Sequence, residues 1–149
     1  VDIVAGCFFL IKTELWRSLG GFDKRFFMYG EETDLCIRAS KIGCTPMTTP
    51  AATIIHYGGA SEKVRSEKII RLLTAKLELA NTHWPEWKRP FCVLFFNWWI
   101  LSRSAFFWVK NTLLKSDLDA QSSFESWIRV WHQRPIWQAG YSINSAEET

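Results

Sequence analysis

The chain has few of the residues that announce a function by themselves. Its 149 residues hold four cysteines, and Cys7, Cys36, Cys44 and Cys92 make no CxxC pair and no Cys/His spacing of a zinc site. Each stands among apolar neighbours, which predicts buried, reduced thiols and a reducing compartment. Five prolines and eight glycines exclude a collagen-like or low-complexity chain. Charge of one sign is lacking too, since 18 basic residues face 15 acidic ones. There is no internal repeat, and no charged leader followed by an apolar run and a cleavage site. Because the first residue is Val, the N-terminus is expected to be a cut within a longer protein.

Aromatics are abundant instead. Nine Trp, eleven Phe and three Tyr make 15 % of the chain, an excess that suits a boundary between water and an apolar phase, or a partner surface. Hydrophobic residues make 48 %, enough for a buried core. The charges are unevenly placed: residues 61 to 115 carry ten basic and four acidic groups, whereas residues 116 to 149 carry two and five. A basic, aromatic middle third suits anionic headgroups better than nucleic acid, because its aromatics form one apolar run rather than alternating with cations as stacking platforms.

Pattern and punctuation predict the elements. Asp2 to Lys12 is a β-prone run with Gly6 inside it, a position where another backbone or a ligand approaches closely. Thr13 is the cap candidate of a short helix to Leu19 that Gly20-Gly21 ends. An aromatic loop, Phe22 to Tyr29, leads through Gly30 into a helix from Glu31 to about Ile42. A second extended run, Ala52 to His56, ends at Gly58-Gly59. Ser61 can cap a long helix reaching Trp84-Pro85, and Pro90 suits the first turn of the next one. A polar linker follows residue 115, then a short amphipathic helix, Phe124 to His132, and a polar tail.

Glu31, Glu32 and Asp34 place three acids within four residues at a helix start. Such acids stabilise the positive end of the helix dipole, and Asp34 can pair with Arg38 one turn on. The same position also suits a general base, which must be rigid, exposed at the mouth of a site and tuned by a neighbouring charge. The run from Gly6 to Gly43, and above all GGFDKRFFMYGEETDLCIR (Gly20 to Arg38), resembles the C-terminal half of the catalytic domain of inverting family 2 glycosyltransferases. The rhamnosyltransferase-like members are nearest. The resemblance is dense from Asp2 to Ser61, where it includes the His-x-Gly-Gly turn at His56, and fades beyond.

The resemblance implies an α/β fold: the C-terminal part of a GT-A nucleotide-diphospho-sugar transferase (1–61), then basic and aromatic helices (62–115), then a linker, short helix and tail (116–149). It implies transfer from a nucleotide-diphosphate sugar donor to a glycan or lipid-linked acceptor, with inversion, at the cytoplasmic face of the plasma membrane. Glu32 would be the base, standing where Asp is commoner; Glu31 would orient the acceptor and Asp34 would pin the helix start. Gly6, Tyr29 and Gly30 would lie along the substrate. His56 would reach a divalent metal, Mn²⁺ or Mg²⁺, and an imidazole favours Mn²⁺. Lys63 and Arg65 would be near the diphosphate or be ordinary solvated helix charges.

The family's Asp-x-Asp anchor is missing. Asp117-Leu118-Asp119 has its letters but lies in the linker, so the chain alone is expected to be inactive. Phe91 to Leu114 is long enough for a bilayer, at about 36 Å. Asn97, Ser102, Arg103 and Ser104 interrupt it, so an in-plane helix with Trp98, Trp99 and Trp108 at headgroup level fits better than a span. Packing on the rest of the protein is the other reading of this helix. A non-catalytic membrane-association or binding module is the alternative for the whole chain.

Overall fold

A computed structural model describes residues 1–57, 64–113 and 118–141, which form two compact units divided between Ser61 and Glu62. The first unit holds α1 (Thr13–Leu19) and α2 (Glu31–Lys41) among extended and turn segments. The expected strands at Asp2 to Lys12 and Ala52 to His56 are not formed, and no strand occurs among the described residues. An extended run becomes a strand only when a neighbour accepts and donates its ladder hydrogen bonds, and residues 1–57 do not supply that neighbour. Gly6 and Cys7 form a turn, so Cys7 is exposed rather than buried, whereas Cys36 is in the core.

α1 begins at Thr13 itself, with Lys12 in the cap position and no side-chain cap. It ends where Gly20 and Gly21 turn left-handed, with φ of 75° and 73°. Gly21 is needed twice over, since a Cβ there would also fall 2.9 Å from the Trp16 ring. Trp16 in turn packs edge-on against Phe22, with centroids 5.0 Å apart. α2 buries Leu35, Cys36 and Ala39 on one face. Over that face lies a cleft of about 440 Å³, walled by the extended segments at Val4, Phe9 to Lys12 and Cys44 to Met47.

The second unit is a helical bundle of α3 (Arg65–His83), α4 (Arg89–Leu113), α5 (Leu118–His132) and α6 (Arg134–Ala139), with a 3-10 turn at Glu86–Lys88. Its core is Ile70 and Leu73 from α3, Ile100 from α4, Trp127 and Val130 from α5, and Trp137 from α6. α5 starts earlier than the hydrophobic pattern predicts because its first buried positions are Ala120 and Ser123, small residues that allow close helix approach without an apolar signature. α6, read as polar tail, is held by Trp137, which is fully buried and donates Nε1–H to the Val130 carbonyl at 3.3 Å.

Trp137→Ala would leave a large cavity between α3 and α5. We expect it to cost about 3–5 kcal/mol, measured as a lowered denaturation midpoint of the helical circular-dichroism signal. A change below 1 kcal/mol would mean that α6 is not part of the cooperative core.

Candidate active site

The acidic cluster is built by the turn before α2. Tyr29 adopts φ 69° and Gly30 φ 93°, two successive left-handed residues that swing the chain into the first turn of the helix. For Tyr29 this is strained, and strain of this kind persists where surrounding structure fixes it. Gly30 also closes the turn, its carbonyl accepting from the Asp34 amide at 2.8 Å. Upstream, Arg25 donates from its backbone and side chain to the Asp23 carboxylate, down to 2.6 Å, which lowers the Asp23 pKa from 3.8 to about 2.

The three acids have different surroundings. Asp34 is fully buried and accepts from Arg38 Nε at 2.8 Å, the pairing that the one-turn spacing predicts. Arg38 extends the link, donating from its two terminal nitrogens to the carbonyls of Leu19 at 2.6 Å and Gly21 at 2.8 Å. Asp34 therefore fastens the start of α2 to the end of α1 through one guanidinium.

Glu31 and Glu32 are half-buried. The Oε2 atom of Glu31 is buried without a hydrogen-bond partner. Burial is the largest influence on Glu32 and raises its proton affinity above the ordinary 4.5. The neighbouring charge of Glu31 adds to the effect, and hydrogen bonds from the backbone at Glu32 and Gly30 offset only part of it. Gly6 lies against this side chain: a Cβ at Gly6 would stand 3.7 Å from Cβ and Cγ of Glu32. The fold thus brings Gly6, Tyr29, Gly30, Glu31 and Glu32 together from two separate stretches of chain.

The remaining candidates lie elsewhere. His56 is exposed on a stretch outside the helices, and Lys63 and the glycines of the His-x-Gly-Gly turn lie outside the described residues. Arg65 opens α3 in the second unit, where it donates to Ser123 Oγ at 3.0 Å. Among the described residues no three His, Cys, Asp or Glu side chains are grouped to hold a metal ion. The described residues do not, by themselves, make the divalent-metal site that the resemblance implies. Sequence reading passed over the Arg38 bonds to Leu19 and Gly21. No motif encodes them, because the acceptors are backbone atoms.

Comparison with known proteins points to glycosyltransferases. Over 57 residues the chain is 42 % identical to rhamnosyltransferase WbbL of Escherichia coli, covering 38 % of this chain and 22 % of that protein. Over 92 residues it is 29 % identical to the N-acetylglucosaminyl-diphospho-decaprenol L-rhamnosyltransferase of Mycobacterium tuberculosis, covering 60 % and 30 %. An O-antigen biosynthesis protein, RfbC of Myxococcus xanthus, is 30 % identical over 63 residues, 42 % of this chain and 5 % of that one. The chain therefore spans less than a third of the length of these relatives. No protein-family profile matches it, and no solved structure does. The likenesses support kinship with glycosyltransferases.

The raised proton affinity of Glu32 has a sign that can be measured. A carboxyl whose folded pKa exceeds its unfolded value of 4.5 stabilises the fold only while protonated, and that contribution is lost as pH rises through the folded pKa. Glu32→Gln removes this dependence. We expect the variant to have a higher Tm than the parent at pH 7, and the difference to shrink towards pH 4. A Tm that fell equally at both pH values would show that burial does not act on Glu32 in this way.

Proposed function

We propose that this chain forms the acceptor-side part of an inverting glycosyltransferase of family 2 type with a GT-A fold. It would move a rhamnosyl or hexosyl group from a nucleotide-diphosphate donor to a glycan or lipid-linked acceptor at the cytoplasmic face of the plasma membrane. The observation that carries this reading is the pair Glu31–Glu32 at the strained Tyr29–Gly30 turn, with Glu32 against Gly6. The likeness to two rhamnosyltransferases, one named for a diphospho-decaprenol acceptor, supports the sugar and acceptor classes.

Glu32 takes the proton from the acceptor hydroxyl. The acceptor oxygen then forms a bond to the anomeric carbon from the face opposite the diphosphate, and the bond from that carbon to the diphosphate oxygen breaks. The nucleoside diphosphate leaves with the electron pair, and the configuration inverts. A carboxylate made a stronger base by burial removes that proton more readily than a solvated one. Glu31, half-buried beside Glu32, would accept a hydrogen bond from a second hydroxyl of the acceptor and so orient it. Gly6 adds no side chain of its own beside Glu32, where the donor sugar would pass. A divalent ion, Mn²⁺ or Mg²⁺, would take one ligand from His56 and, when bound, offset the charge that builds on the leaving diphosphate. The nucleotide-binding half with its Asp-x-Asp anchor would be supplied by further chain, so these 149 residues alone are expected to transfer nothing.

The test is transfer by the polypeptide that joins these residues to that nucleotide-binding half. Glu32→Gln is expected to lower kcat about 10²- to 10⁴-fold, the usual contribution of a general base, with little change in the donor KM. Undiminished turnover would remove Glu32 as the base.

A further inference from the structure

α4 is built inside out. Its inward stripe, Asn97, Ile100, Ser104 and Phe107, includes two polar residues, and Ser104 is buried with its hydroxyl donating to the Ile100 carbonyl at 2.9 Å. The outward arc, about a third of the circumference at 100° per residue, carries Phe91, Leu94, Phe95, Trp98, Phe106 and Val109, all exposed. Arg89, Arg103 and Lys110 are the charged residues of α4, and the helical turn places none of them in this arc. Its two hydroxyls are turned away from any outside partner: Ser102 donates to the Trp99 carbonyl and Thr112 to the Trp108 carbonyl, both at 2.8 Å. The face therefore offers an occupant apolar area and no free hydrogen-bonding group from these two residues.

Charge identifies the occupant. α4 has three basic residues and no acidic one, and Arg103 and Lys110 lie on its flank beyond the apolar arc. Next to its start, Lys88 Nζ is held 5.8 and 5.5 Å from the ring centres of Trp84 and Trp87, both exposed. Apolar rings bordered by cations match an acyl layer bordered by phosphates. With the preceding turn, the helix is long and apolar enough to cross a bilayer. Its neighbour α5 argues against crossing, because Asp119, Glu125 and Arg129 on α5 are exposed and a spanning α4 would draw them into hydrocarbon.

We propose that the outward face of α4 docks on an anionic lipid bilayer with the helix axis in the membrane plane and α5 on the water side. This inference rests on the second unit alone and stands apart from the catalytic role of Glu32.

The test is flotation of the 149-residue chain with vesicles of phosphatidylglycerol and phosphatidylcholine, against phosphatidylcholine alone. Wild type is expected to float with the anionic vesicles, and its tryptophan emission to be quenched by brominated acyl chains. The double variant Phe95→Ser/Trp98→Ser changes only exposed side chains and should keep the helical circular-dichroism signal. Its vesicle partition is expected to fall about tenfold or more, since two large rings leave the interface. Equal partition of variant and wild type would overturn the proposal. So would a wild type that stays in the aqueous layer as a dimer that the double variant lacks, which would make the face a contact between copies. Retention in the vesicles after alkaline carbonate washing would overturn the in-plane geometry in favour of a spanning helix.

Discussion

The first unit depends on one guanidinium. Arg38 reaches the carbonyls of Leu19 and Gly21 and the carboxylate of Asp34 in one geometry, joining the end of α1 to the first turn of α2. A helix C-terminus leaves carbonyls without partners, and here the next helix supplies the donors. The half-buried charge that makes this possible is neutralised by Asp34, itself without solvent exposure. With the ends of α1 and α2 fixed, the chain between them must return through a short aromatic loop. Within that loop Tyr29 stands in the left-handed region, and Glu31 and Glu32 follow it at the start of α2.

Division of labour among three acids follows from this arrangement. Asp34 is consumed by Arg38 and serves structure. Glu31 and Glu32 remain half-buried, the charge of Glu31 adds to the burial that raises the proton affinity of Glu32, and Glu32 lies against the Gly6 turn. Identical chemistry at neighbouring positions thus acquires separate roles through burial and pairing.

The second unit works on a different principle. Aromatic rings from three helices fill its core, with Trp99 and Trp127 meeting edge-on at 4.9 Å and Phe96 and Trp137 at 6.2 Å. The aromatic excess is divided by helical phase, since Phe96, Trp99 and Phe107 turn inward while Phe95, Trp98 and Phe106 turn outward. Composition could not make that division. The polar interruptions that made α4 look unlike a membrane-spanning helix include the residues that line its bundle side.

Sequence alone determined the helix limits set by local chemistry: the glycine stop after Leu19, the start of α2 after Gly30, the first-turn Pro90 and the Asp34–Arg38 spacing. It also picked out Gly6, Glu31 and Glu32, because strings of residue types survive as motifs. It did not determine whether Asp2 to Lys12 becomes a strand, since that depends on a partner outside the run. Nor did it reveal α6 or the early start of α5, whose buried positions are a lone Trp137 and the small Ala120 and Ser123. Only the tertiary structure decided that Arg38 also reaches the carbonyls of Leu19 and Gly21, and which face of α4 is free. Burial and pairing belong to residues far apart in the chain, and no local pattern records them.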